Sequence, residues 1–284
     1  MGILYMLLAS GCFATMSAFI KGIGESLPLP ELVFLRCLLA LPVLFLIVRM
    51  RQRPLMVRAR KLLLLRTIFG MTAMSGFFFA LAHLPFAECI FLGRTQPLII
   101  AFLAPVILGE KAPIASWFAI FTGMAGVIMI LQPGVTWSVG AWVALGAACA
   151  SAVAHILVRR LNATEYPLVI VFNFTALTCV FAGLWSLPYL IMPSEKQWLL
   201  LVGVAVFASF GQLCMTLAYQ RDRAPAVASA SYTSVVLAVI YGYFFWGEVP
   251  QLLTWLGGTL IVFGGVLLLK SRMRISEPPA SMLT

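Results

Sequence analysis

Charge is what this sequence has least of. Asp, Glu, Lys and Arg make up 10% of its 284 residues, against about 25% in a soluble domain. Hydrophobic residues make up 62%, and the mean hydropathy is +1.04. That shortage excludes an ordinary soluble enzyme, a disordered chain and a nucleic-acid-binding domain. Other absences narrow the field further. There is no Walker A motif, no Gly-x-Ser-x-Gly, no His/Cys/Asp cluster with metal-ligand spacing and no pair of acids within an apolar stretch. No cofactor, metal or catalytic chemistry has a seat here, so the chain does not read as an enzyme. The six cysteines (Cys12, Cys37, Cys89, Cys149, Cys179 and Cys214) lie scattered in apolar segments without CxxC spacing. They read as small packing residues rather than as a disulfide framework. A cleavable leader is also missing, because the run from Gly2 onward continues as a membrane segment and reads as an uncleaved signal-anchor.

What the chain has in abundance is long apolar runs. A spanning helix needs roughly 20 such residues, and runs near 2–21, 32–49, 62–82, 86–108, 113–132, 137–158, 167–189, 197–219, 225–246 and 252–270 meet that need. Pro and Gly punctuate the joins, among them Pro28, Pro54, Pro85, Pro113, Pro133-Gly134, Pro193 and Pro250. The expectation is an all-α membrane protein of ten transmembrane helices. The formal charge of +10 is topological. Its clusters, Arg49 to Lys61, Arg159/Arg160, Arg221/Arg223 and Lys270/Arg272/Arg274, fall on loops of one parity or on the tail, whereas the opposite loops hold Lys21 and Lys196. By the positive-inside rule both termini are cytoplasmic. Trp137, Trp142, Trp185, Trp198, Trp246 and Trp255 near the span ends fit an aromatic belt.

The two halves resemble one another at an offset of 138 residues. Gly109-Glu110, Trp117 and Gly126 recur as Gly247-Glu248, Trp255 and Gly264; Thr95 recurs as Thr233, and Lys21 is matched by Arg159. Each half carries five spans, an odd number, so the second copy crosses the membrane in the opposite sense. The domain reading is therefore 1–134 for the first five-helix repeat and 135–284 for the second, the latter with a short cytoplasmic tail. Inverted repeats of this kind build secondary transporters whose substrate site lies near the midplane.

The residues also bring a family into view. Arg36 in "FLRCLLALP", the stretch "ALAHLPFAECIFLGRTQPLIIAFLAPVILGEK" from Ala80 to Lys111 and the following "WFAIFTGMAGVIMIL" resemble the drug/metabolite transporter superfamily, in its ten-helix EamA-type branch. The second copy, from Ala218 through Gly247-Glu248 to Gly264-Gly265, has the same outline. Arg66 followed by Gly70-Met71 looks most like the subgroup with S-adenosylmethionine carriers and related organic-anion or metabolite carriers. One departure matters. The family often carries a Trp in its first and sixth helices, where this chain has Cys12-Phe13 and Ala150-Ser151. The resemblance implies an inner-membrane carrier of small metabolites working by alternating access.

Arg94 is the most informative residue. It lies about 12 Å into the fourth span at 1.5 Å per residue, close to midplane, where an arginine costs roughly 3 kcal/mol or more. It either anchors a substrate carboxylate or phosphate through its planar donor fork, or is a structural arginine satisfied by backbone carbonyls or a distant Glu. Pro97 lacks an N–H, so the Gly93 carbonyl loses its helical partner and the helix bends beside Arg94. Pro105 does the same to Ala101. Across the repeat Arg94 corresponds to Tyr232, within a hydroxyl-rich run that begins at Ser229. Tyr232, Ser229, Asn173 and Gln212 are candidate polar groups at depth for substrate or for another helix. Arg36, with Glu31 a little over one turn earlier, and Arg66 lie nearer span ends, where they can snorkel; with Glu88 they read as gating or structural charges. Glu110 and Glu248 are expected to complement the N-termini of the helices that follow them. His83 and His155 look interfacial. Small residues (Gly76, Ala80, Gly123, Gly126, Ala147, Ser151, Gly257, Gly258) mark tight helix contacts.

With no Asp in any span and no acid in the first, the exchange of a lipophilic cation against protons has no obvious carboxylate. The sequence therefore points to a secondary active or exchange transporter, an exporter of amino-acid-like or other carboxylate-bearing metabolites. A lipophilic-cation exporter and a non-transporting lipid-handling protein are the alternatives. Its partners are a small-molecule metabolite and membrane lipid, with no nucleic acid, acting as monomer or homodimer.

Overall fold

Apolar runs of this length have only their own backbone to bond with inside a bilayer, so they fold as helices. A computed structural model of the chain describes residues 2–108, 114–131, 138–221, 231 and 233–275. Among them the helices are α1 (Gly2–Ile23), α2 (Leu29–Met50), α3 (Arg60–His83), α4 (Phe86–Gly93), α5 (Gln96–Leu108), α6 (Ile114–Leu131), α7 (Val139–Leu161), α8 (Pro167–Ser186), α9 (Glu195–Arg221), α10 (Thr233–Trp246) and α11 (Leu252–Ile275). No strand occurs among the described residues. α1, α2, α3, α7, α8 and α9 are each long and apolar enough to cross a membrane. α4 and α5 together replace the expected fourth span, and α6, α10 and α11 carry the remaining apolar segments. The protein is a multi-pass, all-α membrane protein. Its outer surface agrees: Phe45, Leu46, Phe118, Phe121, Leu184 and Phe244 are exposed, as side chains bathed in lipid would be.

The helices pack in pairs. α1 lies along α9 and α3 along α7, while α2 pairs with α8 and α6 with α11. Exchanging the halves (α1 for α7, α2 for α8, α3 for α9, α6 for α11) turns the first two pairs into each other and the last two into themselves. α5 against α7 likewise maps onto α10 against α1. The small residues do as expected. Gly126 and Gly257 face each other so closely that a methyl on either would meet the other's carbonyl oxygen, and a methyl on Gly76 would sit 3.1 Å from the Ala147 Cβ. Without a hydrophobic drive between helices in lipid, such seams let dispersion hold backbones together.

Two polar side chains pin loops to the bundle. Asn173, in α8, donates from its amide to the Leu55 carbonyl at 2.7 Å and to the Val169 carbonyl at 2.8 Å. Glu165 accepts from the Arg58 and Ala59 N–H groups at 2.8 and 3.1 Å, capping the start of α3; a carboxylate there complements the helix dipole. At the opposite end of the bundle, Glu31 is 2% exposed and accepts from the Ile191 N–H at 3.1 Å. It is therefore committed to the loop after α8 rather than to Arg36.

Candidate functional site: a cavity ringed by arginine

The fourth span breaks outright where a bend was expected. α4 ends at Gly93, and the chain turns through Arg94 and Thr95 before α5 starts at Gln96. The Thr95 hydroxyl donates to the Leu92 carbonyl at 2.7 Å, and the Thr95 carbonyl accepts from the Leu98 and Ile99 N–H groups at 3.0 and 3.1 Å. Thr95 thus closes one helix and opens the next. Pro97 falls in the first turn of α5, where helical N–H groups have no partner in any case, so its missing donor costs nothing. In the second copy, α10 starts at Thr233, the counterpart of Thr95.

This break opens onto a cavity of about 170 Å³. Its walls come from both halves: Phe13 and Ser17 of α1, Arg36 of α2, Arg66 and Gly70 of α3, Gly93, Arg94 and Gln96 at the break, Ser151 and His155 of α7, Phe174 of α8, and Gln212 and Met215 of α9. Three arginines line it, and no carboxylate does among the described residues. Glu88 accepts from the Thr254 hydroxyl at 3.1 Å, away from the cavity.

Arg36 and Arg66 are each 4% exposed. Neither snorkels, and the reading of them as span-end groups is corrected: the side chains of α2 and α3 turn inward to line the cavity. Arg36 Nε and both Nε and Nη1 of Arg66 have no hydrogen-bond partner among the described residues. The Arg66 guanidinium folds back over Gly70, where any Cβ would collide with it, and rests 4.1 Å from the centroid of the Phe174 ring.

Of the other sequence candidates, Gly93, Arg94 and Gln212 line the cavity. Pro97 is buried behind the break. Asn173 is not among the lining residues, because both of its amide bonds go to backbone carbonyls. Tyr232, Ser229 and Glu110 lie outside the described residues. His155 is not interfacial. Its Nδ1 meets the Ser151 carbonyl at 2.7 Å and the side-chain amide of Gln96, and its Nε2 faces the Met215 sulfur. Gln96 and His155 went unnoticed as site residues. The signal for Gln96 was its place two residues after Arg94.

At one end of the bundle a polar network ties the helices together. Lys21 pairs with Glu248 at 2.7 Å and donates to the Leu84 carbonyl at 2.8 Å. The second Glu248 oxygen accepts from the Phe86 N–H at 2.6 Å. Glu248 therefore caps α4 rather than the helix that follows it, correcting the sequence expectation. The reason is Gly247, whose φ of +62° lets the turn swing back so that the Glu248 N–H reaches the Gly242 carbonyl at 3.0 Å. Trp246 stacks on Phe86 at 5.3 Å above the pair.

The EamA-like transporter family model matches residues 1–132 and 138–270. The chain is similar to the pseudopaline exporter CntI of Pseudomonas aeruginosa (strain UCBPP-PA14), at 31% identity over 275 residues, covering 95% of this chain and 96% of that protein. It is also similar to a riboflavin transporter of Vibrio cholerae, at 30% identity over 202 residues, covering 70% and 68%. A solved crystal structure shares the fold at a TM-score of 0.73 and 17% identity, over 97% of this chain and 99% of its own.

Proposed function

Because this chain belongs to the EamA-like transporter family, we propose that it exports small carboxylate-bearing metabolites, amino-acid-like compounds among them, across the inner membrane by alternating access or exchange. The observation that carries this reading is the central cavity, lined by Arg36, Arg66 and Arg94 and by no acid among the described residues. A guanidinium in low dielectric attracts an anion strongly and repels a cation. The cation-exporter alternative is therefore disfavoured.

Arg94 anchors the acid group. It sits at the helix break and lines the cavity. Gln96, Gln212 and Ser151 orient the rest of the cargo, with Tyr232 and Ser229 as further candidates on the second copy. Basic loops place both termini in the cytoplasm. The end tied by Lys21 and Glu248 is then the external one, and the cavity, which reaches Met6 of α1 and Met215 of α9, faces inward. Exchange of the two inverted halves would open the opposite side. The relative named as an exporter supports outward transport.

Counterflow in proteoliposomes tests the reading. Acid-bearing amino-acid analogues should give saturable exchange, and Arg94→Gln should lower it at least tenfold. Flux that rises linearly with concentration, or a preference for lipophilic cations, would overturn it.

A further inference from the structure

Away from the cavity, residues 49–61 lead from the end of α2 into α3 and carry six cations, Arg49, Arg51, Arg53, Arg58, Arg60 and Lys61, with no acid among them. All six are exposed, and none is paired with a carboxylate among the described residues. A block of about six like charges is ordinarily disordered. This one is held along its length. Gln52, at φ +48°, turns the chain so that the Arg53 N–H reaches the Val48 carbonyl at 3.2 Å. The Arg53 guanidinium lies 4.0 Å from the centre of the Tyr166 ring. Asn173 holds the Leu55 carbonyl, and Val57, 2% exposed, packs with Leu63 of α3, Leu161 of α7, and Val169 and Ile170 of α8. Glu165, the acid bonded to this loop, is 8% exposed and accepts from the Arg58 and Ala59 N–H groups rather than pairing with a side chain. Positive-inside topology asks only for a count of Lys and Arg on a loop, so it explains the charge and not the anchoring.

The loop also lies at the depth of lipid headgroups. α2 has 22 residues, about 33 Å at 1.5 Å per residue, enough to cross a hydrocarbon core of about 30 Å. Its last residue, Met50, therefore reaches the boundary, and Met50 and Met56, interspersed with the cations, are 74% and 62% exposed. We propose that this loop is a binding site for anionic phospholipid, whose phosphate accepts from the guanidinium groups of Arg51, Arg53 and Arg58 while the two methionines enter the acyl region. Because the loop is fastened to α7 and α8 as well as to α2 and α3, a bound headgroup ties helices of both halves together at this end. The site stands apart from the cavity and does not depend on which cargo is carried.

The test titrates phosphatidylglycerol into the full chain in zwitterionic micelles and reads the melting temperature. The lipid should raise it, phosphatidylcholine should not, and added salt should weaken the effect. These wild-type measurements do not depend on any variant folding. Replacing Arg51, Arg53 and Arg58 together by Gln should raise the lipid needed for a half-maximal shift at least about tenfold. Replacing Lys270, Arg272 and Arg274 by Gln removes the same charge from the C-terminal tail and should leave the titration as in the wild type. Equal weakening by both triple variants would mean that the charge acts as a diffuse field, and would overturn the site. An equal shift with soluble glycerol phosphate would make the ligand a free phosphate, and the lipid assignment wrong. No shift in the wild type also overturns the site while leaving the transport reading intact, and absence of counterflow overturns that reading while leaving the site intact.

Discussion

Arg66 lies with its guanidinium 4.1 Å from the centre of the Phe174 ring, a contact between α3 and α8 that passes over the bare backbone of Gly70. The ring face attracts the cation without neutralising it, so the Arg66 charge beside the cavity is not cancelled. One glycine makes this geometry possible, since a side chain there would occupy the space of the guanidinium.

Gly70→Ala tests that directly. Alanine favours a helix over glycine by about 1 kcal/mol, so the melting temperature should hold or change little. The added methyl displaces Arg66 from Phe174, and acid binding should weaken about tenfold. Unchanged affinity in a folded variant would show that the Arg66 position is immaterial.

Lys21→Met should release the end that Lys21 and Glu248 tie. The pair is 12% and 24% exposed, which places its worth near 2 kcal/mol, between exposed and buried ion pairs. That is about a thirtyfold shift in the balance of access states. A cysteine placed at Ala147, which lines the cavity, should react faster with an impermeant thiol reagent added outside when Lys21 is replaced. An unaltered rate would remove the pair from gating.

Gly247→Ala should reproduce that phenotype from the backbone. A residue with a Cβ at φ +62° is strained by about 1–2 kcal/mol, and the turn that brings Glu248 to the Phe86 N–H would relax. The expected result is a lower melting temperature together with faster external labelling at Ala147. Destabilisation without the change in labelling would separate the turn from the gate.

Pro97→Ala should join α4 to α5. With an N–H restored at this position the Gly93 carbonyl regains a helical partner, Thr95 no longer needs to cap, and Arg94 rotates onto a helix face. Counterflow should fall at least tenfold while stability is kept or raised. Retained transport would mean that Thr95 alone holds the break.

Much of the architecture was legible before any coordinates. Ten apolar runs, basic loops of one parity and the pairing of Gly109-Glu110 with Gly247-Glu248 pointed to a two-part helical membrane protein, and the small residues Gly76, Gly126 and Gly257 are indeed seams. Arg94 could be singled out because a midplane arginine is expensive wherever it points, and Pro97 because its missing N–H acts locally. Hydropathy puts Arg36, Arg66 and His155 at span ends, because it measures how deep a residue lies along its own helix and says nothing of which neighbour it faces. Depth leaves Asn173 open to substrate or to another helix, and only the packing shows its amide donating to the Leu55 and Val169 carbonyls.

By itself, then, the sequence determined what depends on one segment at a time: which stretches enter lipid, where a helix must depart from straight, and that the protein keeps arginine and almost no acid within its spans. Tertiary structure decided which charges meet. Glu31 and Glu248 are drawn to backbone N–H groups of distant segments, and Arg36 and Arg66 are left facing a shared cavity. Those choices follow from the packing of α2 on α8 and α3 on α7, and long-range pairing of that kind is set by the shapes of two helices together and by neither sequence segment alone.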